Sequence, residues 1–260
     1  MSDYQFVTVR REGNTLVLTL NRPEVMNALH SPAHFECHAV IDAFANDPAL
    51  RVLVITGAGE RAFSAGNDLK HYAAGGSRDM PPSGFGGLAN RFDLKKPVVA
   101  AVNGVAFGGG FEIALASDII VASSNATFAL PEPKVGLAAL AGGLHRLPRA
   151  IGVKRAMSMI LTARSVTAEE GRGLGFVSDV TAPGKALETA LQLAAQIADC
   201  SPVAVQAAKE AVMLGCDLPL AEAIARQWEW QGVRAMRASR DAIEGPRAFA
   251  EKRRPVWSED

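Results

Sequence analysis

The chain has 260 residues, 48% of them hydrophobic, with 27 Lys plus Arg against 27 Asp plus Glu. That length buries a substantial core as one large domain, or one domain plus a small one, and zero net charge gives no general electrostatic reason for a nucleic acid or an anionic membrane as partner. No apolar run approaches the ~20 residues of a membrane span; "MSDYQFVTVRREGNT" lacks a basic-then-apolar leader; and Cys37, Cys200 and Cys216, scattered and without CxxC, fit a reduced, cytoplasmic chain with no disulfide frame.

In chain order, "FVTVRREGNTLVLTLNRP" predicts two strands about a Gly13-Asn14 turn, with alternation over residues 6–9 and 16–20 and a stop at Pro23. Ser31-Pro32 predicts the N-cap and first residue of a helix, with Phe35, Val40, Ile41 and Phe44 on its inner side. His34 and His38 share a face of that helix, beside Cys37. The pattern is H-x-E-x-H rather than H-E-x-x-H, and no second ligand cluster accompanies it, so a solvated face is expected rather than a metal site. "RVLVITG" predicts a buried strand. It opens a loose G-x-G-x-x-A match at Gly57, Gly59 and Ala62, but Ser64 and Gly66 fall where a dinucleotide-binding helix would run, and the acid about 20 residues on, Asp79, lies in a loop. Residues 71–90 are rich in Gly, Pro and Ser, which predicts a long functional loop outside the core.

"PVVAAVNG" predicts another strand, followed by the helix "GGGFEIALA". "DIIVAS" and "ATFAL" predict further strands, and Arg146, Arg149, Lys154 and Arg155 form a basic run without interleaved aromatics. The run reads as a solvated face or a phosphate contact for a small ligand. Repeated strand–strand–helix groups fit an α/β fold with mostly parallel strands. After about residue 185 only helical spacing remains, with Leu187, Leu191, Ala194 and Ile197 on one face. The division expected is an α/β domain over 1–195 and a helical module over 196–260, to which the resemblance below assigns catalysis and oligomerisation respectively.

Chemistry concentrates in "FSAGNDL", "GGGFE" and "FALPEPKVGL". Glu112 stands in an apolar helix directly after Gly108, Gly109 and Gly110. Glu132 lies between Pro131 and Pro133 on a different element. Taken singly, each glutamate has a plain structural reading: Glu112 favours a helix start through the dipole, and Glu132 suits a surface turn. Together they suggest more. Backbone N–H groups at a glycine-rich helix start attract anions, two N–H groups aimed at one carbonyl oxygen make an oxyanion hole, and two acids can handle a water and a proton.

These segments in this order resemble the crotonase superfamily, the enoyl-CoA hydratases and isomerases. The resemblance runs over nearly the whole chain, through "NRPEVMNAL", "RVLVITGAGERAFSAGNDL", "KPVVAAVNGVAFGGGFEIALASDIIVAS", "FALPEPKVGL", "GGLHRLPRAIG" and "AFAEKRRPVW". It implies a spiral of strand–strand–helix units with a C-terminal helical module that holds trimers, often paired into hexamers. It implies acyl-CoA thioesters as substrates, so coenzyme A is part of the substrate and no separate cofactor or metal is expected. By resemblance, Asn67 and Gly109 supply the oxyanion hole through their backbone N–H groups, and the bare glycines admit the thioester. Glu112 and Glu132 are the catalytic pair, adding water syn across a 2-enoyl-CoA, with Glu112 as base and Glu132 as acid. Ala65, Asn67 and Lys70 are placed along CoA, and Phe249 and Lys252 reach it from a neighbouring subunit. The 71–90 loop borders the acyl pocket.

The sequence departs from the common hydratase pattern after "VGL", where Ala138, Ala139 and Leu140 replace a Pro-led turn, and at His145, where a Thr-Gln pair is usual. Both departures bear on the acyl group. An isomerase, which needs one glutamate, and a carnitinyl-CoA-type dehydratase, which "FALPE" also resembles, stand as alternatives. A non-catalytic RNA-binding relative is the remote one.

Overall fold

The computed structural model describes residues 4–258. Strands β1 (Val7–Glu12) and β2 (Thr15–Leu20) form the expected antiparallel hairpin. β2 continues into a parallel array with β3 (Val52–Gly57), β5 (Val98–Val102), β7 (Ile119–Ser123) and β10 (Asp179–Thr181), in the order β1-β2-β3-β5-β7-β10. A smaller sheet holds β4 (Ala62–Ser64), β6 (Val105–Phe107), β8 (Thr127–Ala129) and β9 (Val166–Thr167). The chain therefore alternates between sheets: β3 then β4, β5 then β6, β7 then β8. Helices α1 (Ser31–Asn46), α2 (Leu69–Ala73), α3 (Gly109–Ala116) and α4 (Gly143–Ile151) follow successive strand pairs. This is the spiral of strand–strand–helix units that the resemblance implies.

β3 and β5 are buried at every residue, as parallel strands covered on both faces must be. Their alternate side chains serve two cores. Leu53, Ile55, Val98 and Ala100 pack with Phe44 and Ile41 of α1, whereas Val52, Val54, Val99 and Ala101 pack with Ala186, Ala190 and Ala194 of α7 (Ala186–Ala198). Residue 196 thus lies within a helix that covers the large sheet. No strand follows β10 among the described residues. Beside α5 (Val153–Thr162) and α6 (Ala168–Leu174), the C-terminal part consists of α8 (Pro202–Gly215), α9 (Leu220–Arg226), α10 (Gln231–Ala238) and α11 (Asp241–Ala250). No helix among the described residues is long and apolar enough to cross a membrane.

Four expectations are corrected. The N-cap of α1 is His30, whose Nδ1 accepts from Ala33 N, and Ser31 is already helical. On that helix Phe35 points outward, while Ala33, Cys37, Val40, Ile41 and Phe44 face the core. His34 is fully buried rather than solvated; no group of three metal-binding side chains occurs among the described residues. Finally, residues 71–90 are only half a surface loop. Residues 83–89 are buried against α1, and Phe85, Leu88 and Ala89 belong to the main core. The small residues that argued against a core element are what let this segment approach so closely: a Cβ on Gly87 would meet His38 N at 2.5 Å, and one on Gly86 (φ +59°) would meet Ile113 Cδ1 at 2.4 Å.

Candidate active site

The oxyanion-hole segment is built from the turn after β4. Leu29 N donates to Gly66 O and Asp68 N donates to Leu29 O, so a short parallel bridge fixes residues 66–68. An ion pair between Arg22 and Asp68, 2.9 Å apart and well shielded, secures the same turn, and Asp68 also accepts from His71 N to cap α2. Gly66 lies against the start of α3: a Cβ there would stand 2.7 Å from Phe107 O and 2.9 Å from Gly109 N. Among the described residues, neither Asn67 N nor Gly109 N donates a hydrogen bond. Gly109 is the first residue of α3, where a helical N–H has no partner within the helix. Both residues thus carry an amide donor with no acceptor inside the chain.

The three glycines are bare for a reason the sequence does not disclose. A Cβ on Gly108 would meet Glu132 Oε1 at 2.8 Å, one on Gly109 would meet the Phe85 ring at 2.3 Å, and one on Gly110 would meet Ser64 O at 2.1 Å. The protein's own groups occupy the space that side chains would fill. Packing thus accounts for the missing side chains, and the N–H of Gly109 is left without a partner inside the chain.

Glu112 sits one turn into α3 and is only 3% exposed. Its Oε1 accepts from Gly143 N at 2.8 Å, at the start of α4. Burial pushes its carboxyl up to about 7, the Gly143 N–H opposes the shift, and the charge of Glu132 adds to it. Glu132 opens a short turn (Glu132–Val135) and is also raised, by burial. Its Oε2 is buried without a hydrogen-bond partner. A carboxylate oxygen left without a partner is costly in a structure that needs no ligand there.

Ala65, Asn67, Gly109, Glu112 and Glu132 all line one cavity of about 660 Å³. The sequence-predicted catalytic and oxyanion residues are therefore brought together, with Ala65 beside them. Lys70, Phe249 and Lys252 do not line it; Phe249 is 87% exposed on α11 and Lys252 is exposed just beyond. The remaining wall is mostly apolar, from Leu69, Met80, Phe85, Val135, Leu137 and Leu140. Sequence reasoning missed Phe85, whose only signal is an aromatic among glycines. It also misread Arg146. That side chain is half-buried, donates to Ala89 O at 2.8 Å, lies over the Phe92 ring and acts electrostatically on Glu112. Arg149, Lys154 and Arg155 are exposed, as expected. The Gly57–Gly59 turn is held by Asn103, which donates to Gly57 O and Gly59 O, and leads into a strand rather than a helix.

Residues 10–260 match the family model for enoyl-CoA hydratase/isomerase. The chain belongs to the enoyl-CoA hydratase/isomerase family. Within this family, it is 45% identical to the carnitinyl-CoA dehydratase of Escherichia coli strain K12 over 251 residues, which span 95% of this chain and 96% of that protein. The crystal structure of enoyl-CoA hydratase from Mycobacterium tuberculosis H37Rv superposes with a TM-score of 0.92 at 37% identity, covering 98% of this chain and 99% of the other. The structure of enoyl-CoA hydratase EchA1 from Mycobacterium marinum gives 0.92 at 38% identity, with the same coverage. The fold is the crotonase fold, and the chain is an enzyme of that superfamily.

Proposed function

We propose that the protein is an acyl-CoA hydro-lyase that interconverts a 2-enoyl-CoA with the 3-hydroxyacyl-CoA through the Glu112–Glu132 pair. The observation that carries this reading is the pair itself: a buried Glu112 and a half-buried Glu132, both carboxyls held above the usual carboxylate range, lining one cavity with two residues whose backbone N–H groups are free. An isomerase requires one proton shuttle and leaves the second glutamate of the cavity without work. A carboxyl near 7 is matched to proton transfer at neutral pH.

In hydration, one water lies between the two glutamates. Glu112 takes a proton from it as its oxygen bonds to C3. The double-bond electrons move toward the thioester, whose oxygen becomes negative and is held by the N–H groups of Asn67 and Gly109. The enolate collapses and C2 takes a proton from Glu132, on the same face. Dehydration is the same path reversed. The Gly143 N–H keeps the Glu112 carboxyl aimed, and Arg146 tempers its charge.

The similarity to carnitinyl-CoA dehydratases supports a second reading, in which the working direction is dehydration of a 3-hydroxyacyl-CoA carrying a branched or polar group. The test for both is turnover on a panel of straight, branched and trimethylammonium-bearing enoyl- and 3-hydroxyacyl-CoAs. Measurable hydro-lyase activity on any member supports the proposal. Double-bond migration without water exchange contradicts it.

A further inference from the structure

Phe85 is the aromatic of the cavity wall, and its position is tightly determined. Its ring tip occupies the space where a Cβ on Gly109 would stand, 2.3 Å away. The segment carrying it turns through Gly84, Gly86 and Gly87, all at positive φ, and is packed on α1 and α3. His34, fully buried on α1, fixes the turn from beneath. Its Nδ1 accepts the Gly86 N–H at 3.0 Å, and its ring stands edge-on to Phe85 with centroids 4.4 Å apart. Because Nδ1 is the acceptor, Nε2 carries the hydrogen of a neutral imidazole, and that nitrogen is buried without a partner. Burial holds His34 down to about 4, so the acceptor is available across the neutral range. Keeping an unpartnered N–H in the core is unfavourable. An apolar residue would avoid that cost but would abandon the Gly86 amide.

With the thioester oxygen at the Gly109 N–H and C2–C3 at the glutamates, a ring seated on Gly109 lies against the acyl moiety rather than the nucleotide. We propose that Phe85 is the specificity-determining residue that limits the acyl group beside the oxyanion hole, and that His34 is the positioning residue that seats it. The proposal rests on the acyl-CoA reading above. It makes the buried 83–89 segment a built wall of the pocket rather than a surface loop.

The experiment uses the full-length protein and reads binding as well as turnover. Butyryl-, octanoyl- and dodecanoyl-CoA, which cannot react at a double bond, are titrated by calorimetry, and kcat and KM are measured on the enoyl-CoAs of the same lengths. Phe85→Ala is expected to move the preference toward the longer chains by at least ~10-fold, the lower end of what one methylene is worth in an apolar pocket. His34→Leu is expected to move it in the same direction by less. His34→Gln, whose side-chain oxygen can accept the Gly86 N–H, keeps the parent preference. If Phe85→Ala does not fold, Phe85→Leu carries the test and is expected to shift in the same sense. Equal losses at all three lengths, or failure of His34→Gln to restore what His34→Leu loses, overturn the proposal. A parent protein that binds none of the three thioesters overturns the substrate reading as well, whereas binding without a length shift in the Phe85 variants overturns this proposal alone.

Discussion

Replacing Glu112 by Gln should make the protein more stable while disabling it. The carboxyl has an ordinary value of 4.5 and stands at about 7 in the folded chain, mainly through burial. The native state therefore holds a proton that the unfolded chain has released, so stability falls as pH rises from 4.5 to about 7, and the full penalty remains above that window. At about 1.4 kcal/mol per pH unit, the gap corresponds to roughly 3 kcal/mol. Gln is neutral, has nearly the same shape, and its side-chain oxygen can still accept the Gly143 N–H. At about 2–4 °C per kcal/mol for a chain of this size, Glu112→Gln should melt roughly 6–12 °C higher than the parent at pH 8. The difference should nearly close at pH 4.5 and vanish below it, where the carboxyl is protonated in the folded and the unfolded chain alike. Thermal melts of both proteins across this range provide the assay. A Gln variant no more stable at pH 8, or a gap that persists unchanged at pH 4.5, would refute the argument that Glu112 is held against its preference.

Further outcomes follow from the same geometry. Because the pair exchanges one proton, the singly protonated form works in both directions, so kcat/KM should be bell-shaped in pH, with an alkaline limb near 7 and the same limbs for hydration and dehydration; a rate still rising above pH 8 would contradict it. Asn67→Ala should stay within roughly tenfold of the parent kcat on the best thioester found, because only the main-chain N–H is required, whereas loss of a donor is worth about 100- to 1000-fold; a thousandfold loss with the fold intact would assign the role to the side chain. Gly109→Ala should be severely impaired by collision with the Phe85 ring, and adding Phe85→Ala should recover at least ~10-fold of kcat/KM, since relief of overpacking is worth about 1–3 kcal/mol; no recovery would mean that the collision is not the cause. The exposed apolar side chains Val212, Met213, Leu214 and Ile224, with Val153 and Leu161, fit burial between subunits, and the family resemblance implies trimers or paired trimers, so light scattering is expected to give three or six times the 27.4 kDa chain mass; a fully active monomer would exclude it.

The strands were legible because their patterns are physically constrained. "VLVITG" and "VVAAV" are continuous apolar runs bounded by glycine, proline or asparagine, which only doubly covered strands need. Glu112 was legible because a carboxylate in an apolar helix demands an explanation, and Glu132 because it stands in the proline-flanked segment that the resemblance pairs with it. Residues 83–89 were not, since glycine reads equally as a flexible loop and as a close approach, and only the neighbouring backbone of α1 distinguishes the two. His34 was hidden for a related reason. Its i, i+4 partner His38 suggested a shared polar face, but burial of one residue depends on a segment about 50 positions away. The crowding of Gly108 and Gly109 by Glu132 and Phe85 is likewise a tertiary fact, invisible in the local pattern.

The most direct test of the central claim is hydration of a 2-enoyl-CoA in water enriched in oxygen-18, followed by mass spectrometry of the thioester, for the parent, Glu112→Gln and Glu132→Gln. The parent should place solvent oxygen on C3, and each variant, folded, should do so at least ~100-fold more slowly. Full activity retained by either single variant would contradict the two-glutamate mechanism and leave a single-acid isomerase as the better account.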